Sequence, residues 1–169
     1  GGGLASATAA ETLRAAGAEG SIAILCAENT PPYYRPPLSK EFLLKGPAQT
    51  RLLIHDDSFY RDRDIEIHLG SRVRQVDVDG RTTETDDGDK FRFSKLLIAT
   101  GATIHKLSVP GENLDGIHYL RTVNDALSLF QNIAHAQRAI VIGASFLGME
   151  IAASFAARGL PTTVIAKED

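Results

Sequence analysis

Cysteine is almost absent from this sequence, and its scarcity excludes several kinds of redox centre. Cys26 is the single cysteine among 169 residues. One thiol cannot form an intramolecular disulfide or a CxxC pair, and an iron–sulfur cluster commonly takes four thiolates. Cys26 lies in an apolar run, which predicts an inert residue of the core. Because nothing here needs an oxidising compartment, we expect a cytoplasmic protein.

The sequence also lacks a basic excess, a zinc motif and a convincing membrane span. Its 18 Lys and Arg residues against 21 Asp and Glu give a net charge of −3, which argues against nucleic-acid binding. The five histidines show no HExxH or paired spacing, so we expect no metal site. Residues 139–157 carry one charge, Glu150, but the glycines and the strand-then-helix pattern argue against a transmembrane helix.

Two segments repeat one pattern of glycine turn, helix and apolar strand. In the first, the turn is at residues 1–6 and the strand at 22–26. In the second, the turn at 143–148 follows a strand at 139–142 and precedes one at 163–166. Strands that are apolar on both faces belong to parallel sheets between helices. The pattern therefore predicts βαβ units of an α/β fold.

The first copy begins on its turn, although a Rossmann-type turn follows a strand that aims the helix at a phosphate. The second copy stops just after its second strand. We therefore expect a fragment of a longer protein. The alternative is a small autonomous protein that begins and ends there.

The stretch between the copies predicts a stiff loop, a short helix and a meander. Residues 30–45 are proline-rich, and Ser39 is a candidate cap for a helix over residues 41–44. Strands at residues 65–69, 73–78 and 91–93, with Asp-Gly turns, are typical of an antiparallel meander.

Two further elements complete the predicted organisation. Residues 96–98 predict a strand that runs into the small-residue turn Ala99-Thr100-Gly101. Residues 124–136 predict a linking helix.

The glycine turns have the composition of phosphate-binding loops. A helix N-terminus offers free N–H groups, and glycine lets the backbone approach a pyrophosphate closely. Each turn departs from GxGxxG once, at Ser6 and at Ser145. The alternative is a tight helix–strand crossing. Glu28 follows the first apolar strand, where a carboxylate can accept ribose hydroxyls; the alternative there is a solvated acid.

Four motifs in order carry a resemblance to a known family. They are Pro32-Tyr33-Tyr34-Arg35-Pro36-Pro37-Leu38-Ser39-Lys40, then Ala99-Thr100-Gly101, Tyr119-Leu120-Arg121-Thr122, and the segment from Val141 to Glu150. Together they resemble the FAD-dependent pyridine nucleotide oxidoreductases. Within these, the chain is similar to the ferredoxin reductase branch, which includes apoptosis-inducing factor and the reductase components of bacterial dioxygenase and P450 systems.

The resemblance implies a fold of two Rossmann-type domains. Residues 1–124 would form an FAD-binding domain with an antiparallel β-meander, lacking its first strand. Residues 125–169 would begin an NAD(P)-binding domain. We expect the 169-residue chain by itself to bind FAD poorly, because the missing strand would be central in the sheet.

The resemblance also implies residues for the flavin. The first turn would face the pyrophosphate, Glu28 would hold the adenosine ribose, and Val73 would contact adenine through its backbone. Lys40 would lie near the reactive edge of the flavin. The alternative for the arginines and the lysine is a solvated surface. The implied FAD residues are Gly1, Gly3, Leu4, Ala5, Ser6, Glu28, Arg35, Lys40, Val73, Thr100, Gly101 and Arg121.

The implied nicotinamide residues follow the second turn. Glu150 would sit beside the nicotinamide and pair with Lys40, so these two are the candidate catalytic residues. An unpaired carboxylate in an apolar helix would need such a partner. Glu168 would accept the ribose 2′-hydroxyl and favour NADH; the alternative is a free terminal charge. The residues are Gly143, Ser145, Phe146, Leu147, Gly148, Glu150 and Glu168.

The function implied is a flavoprotein reductase. Hydride would pass from NAD(P)H to FAD, and electrons would pass on to a ferredoxin or Rieske-type iron–sulfur protein. A second possibility is a redox sensor with slow turnover, like apoptosis-inducing factor. A third is a dinucleotide-binding module without an electron acceptor.

Overall fold

The computed structural model describes residues 1–167, and the chain divides into two compact units. The first unit comprises Gly1–Tyr34 and Leu53–Ala102. The second comprises Arg35–Leu52 and the described residues from Thr103 onward. The predicted division into domains at residues 124/125 stays a prediction.

The described part of the chain alternates short helices and strands. The helices are α1 (Leu4–Ala15), α2 (Glu41–Lys45), α3 (Asp57–Arg61), α4 (Val123–Ile133) and α5 (Phe146–Ala157). The strands are β1 (Ile22–Leu25), β2 (Ile65–His68), β3 (Val73–Asp77), β4 (Thr82–Thr85), β5 (Lys90–Arg92), β6 (Ala139–Ile142) and β7 (Thr162–Ile165). Single 3-10 turns occupy Pro36–Ser39 and Pro47–Gln49. None of the helices within residues 1–167 is long and apolar enough to cross a bilayer.

A two-stranded parallel sheet forms the centre of the first unit. Strand β1 pairs in parallel with β2, from Ile22 opposite Ile65 to Leu25 opposite His68. Cys26 is fully buried, which confirms it as a core residue, and this burial raises the pKa of its thiol to about 11. The core between the sheet, α1 and α3 contains Ala10, Ile24, Cys26, Tyr60 and Ile65.

The meander is present, but its strands differ from the prediction. Residues 65–68 were expected in the meander and instead pair with β1, because their apolar side chains complete the parallel sheet. The antiparallel order is β3-β4-β5, and β4 was not predicted. Strand β4 reads Thr-Thr-Glu-Thr and contains no apolar residue, although Thr83 and Thr85 are buried. Its β-branched threonines suit a strand without giving an apolar alternation.

The strand predicted at residues 96–98 is not formed. The structure gives this segment no regular hydrogen-bonded pairing, and Leu97 and Ile98 are exposed. An apolar run becomes a strand only when a neighbour pairs with its backbone. No such neighbour lies beside it among residues 1–167.

A single βαβ unit forms the centre of the second unit. Strand β6 pairs in parallel with β7, and α5 connects them. Gly159, at φ +79°, ends this helix as predicted. The core contains Leu43, Leu129, Val141, Ala152, Phe155 and Leu160.

Besides α5, two further helices of the second unit were predicted, one of them with a wrong cap. The linking helix is α4, and Thr122 and Asp125 form a capping box at its start. Helix α2 is present over Glu41–Lys45, but its N-cap is Lys40, and no side chain caps it. The Ser39 hydroxyl is directed elsewhere, as described below.

Candidate functional site

The first glycine turn is packed on one side and open on the other. A methyl group on Gly1 would lie 2.0 Å from the carbonyl oxygen of Ala99 and 3.0 Å from Cα of Thr100. A methyl group on Gly2 would lie 2.8 Å from Sγ of Cys26. A methyl group on Gly3 would meet nothing within 4 Å. Gly1 and Gly2 therefore pack closely against the rest of the first unit, whereas the backbone at Gly3 is accessible to a ligand.

The N-terminus of α1 supplies donors to this open side. Gly3 is the N-cap and offers no side chain, and the first turn contains no acidic residue. The N–H groups of Leu4, Ala5 and Ser6 precede the first intrahelical bond, which runs from Ala7 N to Gly3 O. Ser6 Oγ donates to Gly3 O at 2.8 Å, so the serine at the third glycine position closes the turn internally. A helix N-terminus of this kind can accept an anion through its backbone N–H groups.

Glu28 has a partner that the sequence did not indicate. It lies just beyond β1, and Tyr33 Oη donates to its Oε2 at 2.6 Å. The Tyr33 side chain is 1% exposed, so its hydroxyl is held rigidly. Tyr33 belongs to the proline-rich motif, and its spacing of five residues from an acid was the signal that could have revealed it.

The other predicted FAD residues of the first unit lie in two places. Val73 is the first residue of β3, an outer strand of the meander. Thr100 and Gly101 lie outside the helices and strands, and Gly101 has a φ of +74°. A methyl group on Gly1 would lie 3.0 Å from Cα of Thr100, so the structure places these two predicted residues next to each other.

In the second unit, Arg35 and Arg121 come together. Arg35 Nη1 donates to the carbonyl oxygen of Arg121 at 2.6 Å. The backbone N–H of Arg121 donates to Asp125 Oδ2 at 3.0 Å, beside the cap of α4. These contacts fasten the proline-rich segment to the start of α4, 86 residues later in sequence.

The second glycine turn is closed by backbone contacts alone. Gly143 has a φ of +110°, which favours glycine, and its N–H donates to Ile165 O at 2.8 Å. A methyl group on Gly148 would lie 2.0 Å from Gly143 O, so the helix and the turn touch there. Ser145 is the N-cap of α5, and its hydroxyl makes no capping bond.

The beginning of α5 is open to a ligand. The side chains of Phe146 and Leu147 are exposed, Phe146 by 91%. The N–H groups of this first turn precede the intrahelical bond from Met149 N to Ser145 O. Like the start of α1, this end of α5 presents free donors and the positive end of the helix dipole.

Lys40 and Glu150 form an ion pair, as predicted across 110 positions. Lys40 Nζ lies 3.2 Å from Glu150 Oε1. Their side chains are 48% and 32% exposed, so the pair is accessible to a ligand. A hydrogen bond from Ser39 and the nearby Lys40 ammonium together lower the pKa of Glu150 below its ordinary value. The carboxylate is therefore an anion at neutral pH.

Ser39 is a residue of this cluster that the sequence analysis assigned to a helix cap. Its hydroxyl donates to Glu150 Oε2 at 2.6 Å. Its carbonyl oxygen accepts from Ser154 Oγ at 2.7 Å. Glu150 and Ser154 are four residues apart on α5 and share a face, and this spacing of polar residues in an apolar helix was the available signal.

The remaining predicted residue, Glu168, lies outside the described residues. Strand β7 ends at Ile165, three positions before it. Across residues 1–167, no group of three or more His, Cys, Asp or Glu side chains is placed to hold a metal ion.

Similar proteins are reductases of electron-transfer systems. The chain is 38% identical over 169 residues to rhodocoxin reductase of Rhodococcus erythropolis, covering 100% of this chain and 40% of that protein. It is 35% identical over 165 residues to rubredoxin-NAD(+) reductase of Pseudomonas putida, covering 98% and 43%. The chain therefore spans less than half the length of these curated relatives.

A solved structure has the same fold. The ferredoxin reductase for the CYP199A2 system from Rhodopseudomonas palustris matches with a TM-score of 0.91 and 36% identity, over 96% of this chain and 40% of that one. The match supports the Rossmann-type α/β fold with its antiparallel meander. The family described as "Pyridine nucleotide-disulphide oxidoreductase" matches residues 1–169. The chain therefore belongs to the pyridine nucleotide-disulphide oxidoreductase family, and this membership implies FAD and NAD(P)H as its cofactors.

Proposed function

We propose that the protein is a flavoprotein reductase that passes hydride from NAD(P)H to FAD and electrons on to a separate iron–sulfur protein. The observation that carries the proposal is the accessible Lys40–Glu150 ion pair, 3.2 Å across, next to the open N-terminus of α5. Two free helix N-termini, each behind a glycine turn, suit two dinucleotides.

The residues of the first turn fit FAD. The space beside Gly3 and the unused N–H groups of Leu4, Ala5 and Ser6 suit a pyrophosphate. Glu28, oriented by Tyr33, would accept the ribose hydroxyls. When bound, FAD supplies the ring that accepts hydride, and the chain's own residues bind and orient it.

Lys40 and Glu150 would act on the nicotinamide side of the reaction. Glu150 projects from the first turns of α5, the helix whose N-terminus follows the second glycine turn. Lys40 compensates its charge, so the carboxylate can stay ionised while a neutral or cationic ring lies beside it. The proposed role of the pair is therefore to hold the position of the nicotinamide.

The acceptor would be a separate protein of ferredoxin or Rieske type. A single cysteine cannot hold a cluster within this stretch, which agrees with transfer of the electrons to another carrier. The names of the similar proteins, which act with rhodocoxin, rubredoxin and ferredoxin systems, support this choice. We further propose that the protein works in the cytoplasm.

A preference for NADH is part of the proposal. A carboxylate at Glu168 would accept bonds from the ribose 2′-hydroxyl and repel a 2′-phosphate. At 4 Å and an effective dielectric near 20, this repulsion is about 4 kcal/mol per unit charge, and a quarter of it gives a several-fold preference. We expect a higher kcat/KM for NADH than for NADPH, reduced in Glu168→Ala. Equal or better use of NADPH by the wild type would reject the preference.

The spectrum of the purified full-length protein tests the function. We expect flavin absorption bands that NADH bleaches under anaerobic conditions. Adding ferredoxin or rubredoxin with cytochrome c as the final acceptor should then give rapid turnover. Bands that bleach but recover only slowly would instead identify a redox sensor, and a colourless protein would refute the flavoprotein assignment.

A further inference from the structure

A polar stripe on α5 binds a single segment of the second unit. Glu150 and Ser154 lie four residues apart on one face of this helix, and Arg158, its C-cap residue, continues the same spacing. Ser154 Oγ donates to Ser39 O at 2.7 Å, and Arg158 Nη1 donates to Leu43 O at 2.8 Å. Glu150 accepts from Ser39 Oγ at 2.6 Å. The stripe therefore attaches α5 to residues 39–43.

Ser39 is the buried member of this contact. Ser39 is 2% exposed as a whole residue, whereas the side chain of Glu150 is 32% exposed. Its hydroxyl has two acceptors within reach, Glu150 Oε2 at 2.6 Å and Pro36 O at 3.3 Å. A hydroxyl carries one proton, and the shorter distance to a charged acceptor assigns it to Glu150.

The two oxygens of Glu150 thus have different partners. Oε2 accepts from Ser39, and Oε1 faces Lys40. A half-exposed lysine on a flexible side chain cannot hold a carboxylate in one rotamer, since exposed ion pairs are weak. A buried hydroxyl on a segment that is itself bonded to α5 can do so.

We propose that Ser39 is a positioning residue, which holds the Glu150 carboxylate in its anionic form and turns it towards Lys40. The positioning itself does not depend on the proposed function. Only its effect on the rate of hydride transfer rests on that function. The direction of the Glu150 pKa, lowered first by the Ser39 bond and then by Lys40, agrees with it.

Within the described residues, no charged group near α5 other than Lys40 accounts for the lowered pKa of Glu150. Helix α2 carries Glu41 and Lys45, and neither pairs with it. Strands β6 and β7 contain no titratable residue. Arg158, the C-cap residue of α5, donates to Leu43 O and lies over the ring of Phe130.

The test compares the Glu150 carboxyl in three variants of the full-length, flavin-loaded protein. The readout is the pH titration of its 13C carboxyl resonance, assigned by loss of the signal in Glu150→Gln. Ser39→Ala should raise the pKa of Glu150, and Ser39→Thr should restore the wild-type value. Ser154→Ala is the matched control, because it removes a buried hydroxyl from the same contact without touching Glu150.

The outcomes separate this inference from the proposed function. A pKa that rises in Ser39→Ala but not in Ser154→Ala supports positioning by Ser39. Equal rises in both alanine variants, or no rise in Ser39→Ala, would overturn it, because the contact would then be merely structural. Stopped-flow reduction of the flavin by NADH, followed against pH, is the second readout. A raised pKa with an unchanged pH profile would support the positioning and refute the proposed role of Glu150 in hydride transfer.

Discussion

Replacing Gly3 with alanine should separate FAD binding from folding. Gly3 has an extended backbone, with φ −116° and ψ −171°, which any residue adopts. The added methyl group would meet nothing within 4 Å in the protein. Because alanine is a poorer N-cap than glycine, we expect the free energy of unfolding to fall by no more than about 1 kcal/mol.

The same methyl group should weaken FAD binding. It would occupy the open space beside the N-terminus of α1, where the pyrophosphate is proposed to approach the backbone. Losing one hydrogen bond to a charged group costs about 1.5–3 kcal/mol. Since 1.4 kcal/mol is a factor of ten, the dissociation constant for FAD should rise about 10- to 150-fold.

The assay is a titration of the full-length apoprotein with FAD, followed by flavin fluorescence, alongside thermal unfolding. Gly20→Ala is the matched control, because Gly20 is exposed and lies outside the turn, and a methyl group added to it would meet nothing within 4 Å. A Gly3→Ala protein that binds FAD within roughly twofold of the wild type would refute the placement of the pyrophosphate. So would equal weakening in the control.

Three further predictions concern Lys40, Glu150 and Tyr33. Lys40→Met should slow flavin reduction by NADH without lowering the thermal unfolding temperature, with the exposed Lys106→Met as control; an unchanged stopped-flow rate would contradict the proposed role. Because the pKa of Glu150 is lowered, its contribution to stability should be complete above its ordinary pKa of 4.5 and disappear as the pH falls through the lower folded value. Thermal unfolding of the wild type and Glu150→Gln across this range checks it, and a difference that persists in acid would be evidence against it. Tyr33→Phe should weaken FAD binding about tenfold with little change in stability, because Glu28 loses its donor; unaltered affinity would show that this contact does not serve the ribose.

Local pattern was sufficient for most of the helices and for the parallel strands. Apolar runs predicted β1, β6 and β7, because a strand that is buried on both faces has a continuous apolar sequence. A glycine turn before it and a glycine after it predicted α5. The Asp-Gly pairs likewise predicted the turns of the meander.

Strand pairing was less predictable. The residues of β2 were assigned to the meander, because sequence order alone does not say which neighbour a strand will pair with. Strand β4 was not predicted, because its four polar residues give no apolar alternation, even though Thr83 and Thr85 are buried. Residues 96–98 have a strand-like composition, yet within residues 1–167 they have no pairing neighbour and form none.

By itself, the sequence determined the α/β fold, the two glycine turns before α1 and α5 and, through resemblance, the pairing of Lys40 with Glu150. Only the tertiary structure decided how that carboxylate is held. Ser39 reads as a helix cap in sequence, because a serine before an acidic residue is typical of a helix start. Its hydroxyl instead donates to Glu150, because folding brings this residue, 111 positions away, to 2.6 Å, and no side chain caps α2.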